Sequence, residues 1–249
     1  MSNYNTTQLN PDTTFERHVY HRDQFAHFLR WTHVLNLAKI GMKVLDAGCG
    51  SGNLYEVFYR NRFSPTRFVG VDVRGQTIKK NQEKFPKVEW ETKDLVNDEL
   101  PKDDWDVITS FEVIEHIGKT NADKFLRNIK NVMNDKTTFL LSTPCYDAKV
   151  GAADNHTYDC GDGNGVIPQE HTYEDLKKLL EEHFIIEAHY GTFASIKDYK
   201  DLLTGWQLEM FEKLKDYYDS NILSVMMAPF FPAQARNVLW KLKLKPKTV

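Results

Sequence analysis

Three places in the chain carry residues whose types and spacing point to chemistry. The first is Asp46-Ala47-Gly48-Cys49-Gly50-Ser51-Gly52, where an apolar run ends in an acid and then in alternating glycines. Such a turn lets backbone lie against a ligand, because glycine has no Cβ to collide and tolerates positive φ. A dinucleotide fingerprint needs a third glycine where Asn53 stands, which weakens a nicotinamide reading. The Asp46 carboxylate points the same way: it would repel a phosphate and can hold an ammonium group. The second place is Asp72, which ends the apolar run Arg67–Asp72, 22 residues beyond Gly50. A carboxylate at the tip of a second strand can accept from both hydroxyls of a ribose, each bond worth about 1.5–3 kcal/mol because the acceptor is charged. That geometry serves any adenosine-containing ligand; the plainer alternative is a helix cap. The third is Glu112-Val113-Ile114-Glu115-His116, two acids and a histidine directly after an apolar run.

Positioning these groups calls for alternating strands and helices. The turn follows a strand ending at Val44 and Leu45, buried on both faces, and leads into a helix over 54–60. Strands follow at Arg67–Asp72, 87–91, 105–110, 139–143 and 184–190, with helices over 76–85, 123–133 and 172–182. Within 123–133, Phe125, Leu126, Ile129, Val132 and Met133 recur at helical spacing. The last element, Asn237–Leu244, alternates apolar with polar and basic residues, as a half-exposed antiparallel strand does. The fold predicted is α/β: a doubly wound, seven-stranded, mostly parallel sheet. Ahead of it, 1–12 reads as a mobile arm, and a helix beginning near Asp23 carries Phe25, Phe28, Leu29, Leu35 and Ala38 to a stop at Gly41. His18, Tyr20, His21 and Arg22 at its start read as a solvated polar face. Residues 145–171, rich in Gly, Asn and Asp, read as a lid loop leaving the fifth strand. A helical insertion over 195–221 places Trp206, Met210, Leu214 and Tyr217 on one stripe, read as core and not as a substrate box.

Composition narrows the function. The length of 249 residues fits a single domain over 1–249, and no internal repeat appears. A formal net charge of −3, from 32 basic and 35 acidic residues, gives no general attraction to a polyanion. Lys241, Lys243, Lys245 and Lys247 make only a local basic tail, so a nucleic-acid partner is not indicated. Cys49, Cys145 and Cys160 match neither a disulfide framework nor a zinc site and suit a reducing cytoplasm. The start of the chain lacks a basic stretch followed by an apolar core, and no run is long enough to cross a bilayer, which predicts a soluble cytoplasmic protein. Oligomeric state is not legible.

The D-x-G-x-G-x-G turn resembles that of the class I S-adenosylmethionine-dependent methyltransferases, and the run of strands reproduces their architecture over about residues 40–245. The resemblance implies a donor site of Asp46, Gly48, Cys49, Gly50 and Gly52 with Asp72 and Val73 for the ribose side. It adds Asp94 for the amino group of adenine, with Leu95 and Phe111 beside the donor. Within that superfamily, 107–144 looks like the branch of ubiquinone-biosynthesis O-methyltransferases and small-RNA 2′-O-methyltransferases, in which an E-x-x-E-H motif follows the fourth strand; Glu112, Glu115 and His116 match it. Some members bind a divalent cation there, and a hard cation held by Glu112, Glu115 and a histidine, with a further histidine from the lid, His156 or His171, would acidify an acceptor hydroxyl. Without a metal, His116 or His171 serves as the base. The motif also occurs in methyltransferases that use no metal, where its first Glu touches the methionine end of the donor. The resemblance therefore implies methyl transfer to a small-molecule or nucleotide-like acceptor, at oxygen, with Glu112, His116, His156 and His171 as candidate catalytic residues. A donor-binding protein that has lost transfer is the rival reading.

Overall fold

The structure, a computed structural model, describes residues 22–145, 157–159, 166–168, 170–193, 203–218 and 220–246. The chain divides into two compact units, one of residues 30–189 with 238–249 and one of 1–29 with 190–237.

The larger unit is built on a seven-stranded sheet. Its first strand, β1 (Lys43–Ala47), and second, β2 (Arg67–Asp72), run parallel with Val44 opposite Phe68 and Ala47 opposite Val71. Both are buried after their first residue, which is why they read as unbroken apolar runs. The third, β3 (Glu89–Thr92), lies outside β2, and β4 (Val107–Phe111) flanks β1 on its other side. Next to β4 is β5 (Thr138–Pro144), buried throughout. With β8 (Phe184–Phe193) and the antiparallel β9 (Asn237–Leu244), the order is β3-β2-β1-β4-β5-β9-β8. The chain departs from β1 to one side and returns to the other as β4, and at such a reversal the carboxyl ends of the strands leave a crevice. Asp46, Asp72 and Glu112 belong to those ends. The opposite end carries cations: Lys43 and Arg67, at the starts of β1 and β2, both bond Asp103, and Arg67 also holds Glu89.

Helices α1 (Arg22–Asn36), α2 (Asn53–Arg60), α3 (Gly75–Lys84), a single turn α4 (Ile114–Ile117), α5 (Lys119–Asn131) and α6 (Tyr173–His183) connect or precede the strands. In α5 Phe125, Leu126 and Ile129 of the predicted stripe are buried together with Ala122, while Val132 and Met133 lie past the end of the helix. Thr172 caps α6 by accepting from the Asp175 N–H at 3.1 Å.

Several boundaries move. The fourth strand starts two residues later than predicted because Trp105 is spent in the approach loop, where its indole donates to the Pro101 carbonyl at 2.9 Å. The third starts at Glu89, after a turn in which the Val88 N–H bonds the Phe85 carbonyl. Within the stretch read as a lid loop there is a two-stranded antiparallel ribbon, β6 (Thr157–Asp159) with β7 (Val166–Pro168), in which Tyr158 faces Ile167. The arm over 1–12, His18, Tyr20, His21, His156, Cys160 and the start of the insertion at 195–202 lie outside the described residues.

The smaller unit holds α7 (Trp206–Leu214) and α8 (Ser220–Met227), followed by two short 3-10 turns. Leu203, Phe211, Leu223 and Met227 are buried in it. The stripe read as core is not: Trp206 is 69% exposed and Tyr217 80%, while the buried residue of α7 is Phe211. Trp206, Met210, Leu214 and Tyr217 instead line an open surface depression. No described helix is long and apolar enough to cross a membrane.

Candidate active site

A cleft of about 540 Å³ opens at the carboxyl ends of β1, β2 and β4. That size is ordinary for a small-molecule or cofactor site. Its walls include Gly48, Asp72, Val73, Asp94, Leu95, Glu112 and His116, seven of the residues the sequence singles out.

The glycine turn is braced from β2. The N–H groups of Gly48 and Cys49 both donate to the Val71 carbonyl, at 2.8 and 2.9 Å. Gly48 has φ of 89°, and a Cβ there would meet Val113 Cγ2 at 2.2 Å, so both backbone and space require glycine. Asn81, on the buried face of α3, donates to the Gly50 carbonyl at 2.7 Å and fixes the outer limb of the turn. Gly50 and Gly52 shape the turn without lining the cleft, and Cys49 is buried, its thiol pushed far from ionisation by burial and by the nearby carboxylates.

Asp46 sits behind the turn, 4% exposed, and accepts from the Thr109 hydroxyl at 2.7 Å. Burial, against the help of that hydroxyl and with the charge of Asp72 added, raises its carboxyl pKa to about 7. Asp72 is set differently. One oxygen accepts from the Arg74 N–H and Nε at 2.9 and 3.0 Å, the other from the Gly50 N–H at 2.9 Å and Arg74 Nη2 at 3.2 Å. Burial pushes its pKa up, but these donors outweigh burial and hold the carboxyl below its ordinary value. Asp94 turns back on its own loop, accepting from Val96 N–H, Asn97 N–H and Asn97 Nδ2.

At the far end of the cleft Glu112 holds φ of 57° without being glycine. Its N–H donates to the Ser142 carbonyl, and its carboxylate meets the Ser142 hydroxyl at 3.0 Å and buried Arg30 at 3.2 Å. A residue other than glycine held in the left-handed region just past a strand end is found where the surroundings over-determine it, which is common at functional sites. Glu115 is buried beneath; one oxygen accepts from the Thr143 hydroxyl at 2.9 Å, and the other accepts no hydrogen bond among the described residues. Burial first and the Glu112 charge second push its pKa well above the ordinary carboxylate value. His116 lines the cleft with its side chain 55% exposed, its Nε2 at 3.9 Å from Glu115. His171 is buried and does not line the cleft; burial, helped by Lys119, lowers its pKa and keeps it neutral. Phe111 ends β4, half-buried, also off the cleft wall.

His156, one of the two lid histidines considered as a ligand, lies outside the described residues. Among the described residues Glu112 is paired with Arg30 at 3.2 Å, and neither Glu112 nor Glu115 joins a histidine in a group of three within chelating distance. Such a group occurs elsewhere, at Asp123, Glu182 and His183, where Asp123 is bound to Arg127 and His183.

Arg74, Asn81, Thr109, Val113 and Arg30 were not singled out from the sequence. Arg74 follows the ribose-type acid by two residues, a spacing at which a turn folds back on an Asp. Arg30 meets Glu112 from 82 positions away, which no local pattern reveals.

The site and the sheet define the class. The chain matches the methyltransferase domain family over residues 20–212 and belongs to it, as a class I S-adenosylmethionine-dependent methyltransferase domain. Among curated relatives it is 28% identical to the cyclopropane-fatty-acyl-phospholipid synthase of Escherichia coli K12, over 68% of this chain and 42% of that protein. It is 27% identical to phosphoethanolamine N-methyltransferase 3 of Arabidopsis thaliana, over 69% of this chain and 39% of that one. The chain thus spans about two fifths of the length of these relatives. Among solved structures, an S-adenosylmethionine-dependent methyltransferase from Clostridium acetobutylicum superposes with a TM-score of 0.58 at 14% identity, covering 94% of this chain and 98% of that one. An O-methyltransferase from a Brevibacillus brevis trans-AT polyketide synthase, in complex with S-adenosyl-L-homocysteine, gives 0.55 at 17% identity, covering 98% and 79%. At those identities the structural likeness speaks for the fold.

Proposed function

We propose that this chain transfers the methyl group of S-adenosylmethionine to an oxygen of a small-molecule or nucleotide-like acceptor. The observation that carries the reading is a single cleft with nucleoside-type contacts at one end, Asp72, Val73 and Asp94, and a histidine, His116, at the other. Bound S-adenosylmethionine supplies an electrophilic methyl carbon on a sulfonium, so the protein's share is to hold, align and desolvate. Asp72 takes the ribose hydroxyls. Val73, apolar yet 64% exposed, offers a platform for the base, and Asp94 retains acceptor capacity for the adenine amino group. Asp46, beneath the turn, supplies negative charge to the cationic methionine end.

His116 is the group that takes the proton from an acceptor hydroxyl, and the likeness to the ubiquinone-biosynthesis branch supports oxygen. His116→Ala is expected to lower the transfer rate by about 10²–10⁴-fold with donor affinity unchanged. Chelation by EDTA is expected to leave the rate unchanged, because Glu112 beside His116 is held by Arg30. Two relatives bear the name N-methyltransferase, which favours nitrogen as a second reading; an amine needs only its lone pair. Incubation with methyl-labelled donor and a panel of hydroxyl and amine metabolites separates the cases. Label on hydroxyls supports oxygen, label confined to amines moves the assignment to nitrogen, and saturable donor binding with no transfer identifies a silent donor-binding protein.

A further inference from the structure

A carboxylate offers about four acceptor positions. On Asp72 all four are taken: two by the N–H groups of Gly50 and Arg74, two by the Arg74 guanidinium through Nε and Nη2. The first two donors are backbone and belong to the turn itself. The other two sit on a side chain that is 64% exposed and lines the same cleft. Among the described residues the guanidinium bonds to nothing but Asp72. Its two N–H groups present the acid with a pair of donors, as the two hydroxyls of a vicinal diol would.

We propose that Arg74 is an internal competitor for the donor site: its guanidinium occupies the acceptor positions of Asp72 that a ribose diol requires and must swing away before a nucleoside binds. This rests on the reading of Asp72 as the ribose acceptor. Displacement is cheap, because an ion pair with so exposed an arginine is weak, whereas hydroxyls bonded to a charged acceptor gain more. Arg74 therefore sets affinity without abolishing it, and it works against ligands that lack the diol, which cannot repay its removal. It also speeds departure of the spent nucleoside, since the guanidinium stands ready to take the acid back.

The test is calorimetry of S-adenosylhomocysteine on the full chain, with wild type, Arg74→Ala, Asp72→Asn and the double variant. Arg74→Ala is expected to tighten binding about two- to fivefold, the equivalent of the surface ion pair removed. In wild type, affinity is expected to rise with added salt, because salt screens the ion pair and not the hydroxyl bonds, and that rise disappears in Arg74→Ala. Adding Arg74→Ala to Asp72→Asn is expected to change little, since the competitor has lost its target. Unchanged or weaker binding by Arg74→Ala overturns the competitor and makes the guanidinium a bystander or a donor contact. If instead Asp72→Asn binds as tightly as wild type, the ribose assignment itself falls, a separate failure read from a separate variant.

Discussion

Two buried acids, Asp72 on the wall of the cleft and Glu115 beneath it, have opposite tasks, and their surroundings decide which. Asp72 is kept ionised by four donors, so truncation removes a charged acceptor that no neighbour replaces. Asp72→Ala is expected to weaken S-adenosylmethionine binding at least about 100-fold, two hydroxyl bonds to a charge being lost; an unaltered dissociation constant would remove the main support for the donor site. Glu115 is pushed toward its neutral form by burial first and by Glu112 second. Its folded pKa lies above the unfolded value, so its contribution to stability is complete at acid pH and is lost as pH rises through the folded value. Wild-type melting temperature is therefore expected to decline as pH rises above the ordinary carboxylate range, and Glu115→Gln, neutral and of the same shape, to lessen that decline. Scanning fluorimetry across the range reads both curves.

At the scale of elements, the bend after β1 tolerates nothing larger than glycine at its first position. Gly48→Ala places a methyl against Val113 and a side chain at φ of 89°, and urea unfolding is expected to register a loss of about 2 kcal/mol. Pairing it with Val113→Ala should restore only the part due to crowding. The bend, the two strands beside it and the last strand were legible because glycine spacing and unbroken apolar runs have one structural meaning each. The stripe of α7 was not. Periodicity says that Trp206, Met210, Leu214 and Tyr217 share a face; it does not say that anything covers that face, and Phe211, one step off the stripe, is the buried residue. Trp206→Ser is accordingly expected to shift the melting temperature hardly at all, as for other exposed positions. Asp94 was read from its place after β3 as an adenine contact, yet most of its carboxylate is spent on its own loop; position in sequence located the residue and left its bonding open. The ribbon of β6 and β7 was missed because three-residue strands are too short for alternation to be read.

Across the molecule, the doubly wound, mostly parallel sheet could be anticipated because strands alternating with helices have few ways to wind. What joins the sheet to chemistry was harder to anticipate: Thr109 on Asp46 and Arg30 on Glu112 are pairings that the winding creates, and Arg74 on Asp72 is made by a local turn. The first has a consequence for how the protein responds to its surroundings. Burial raises the pKa of the Asp46 carboxyl to about 7, and on the proposed donor placement a sulfonium above it favours the ionised form, so uptake of fresh cofactor is expected to expel a proton. From pH 8 to pH 6 the affinity for S-adenosylmethionine is expected to drop by up to about tenfold, while that for the uncharged thioether left after transfer drops less. Mild acid would then let the exhausted cofactor outcompete the fresh one, and turnover would slow through congestion at the site long before the fold gave way.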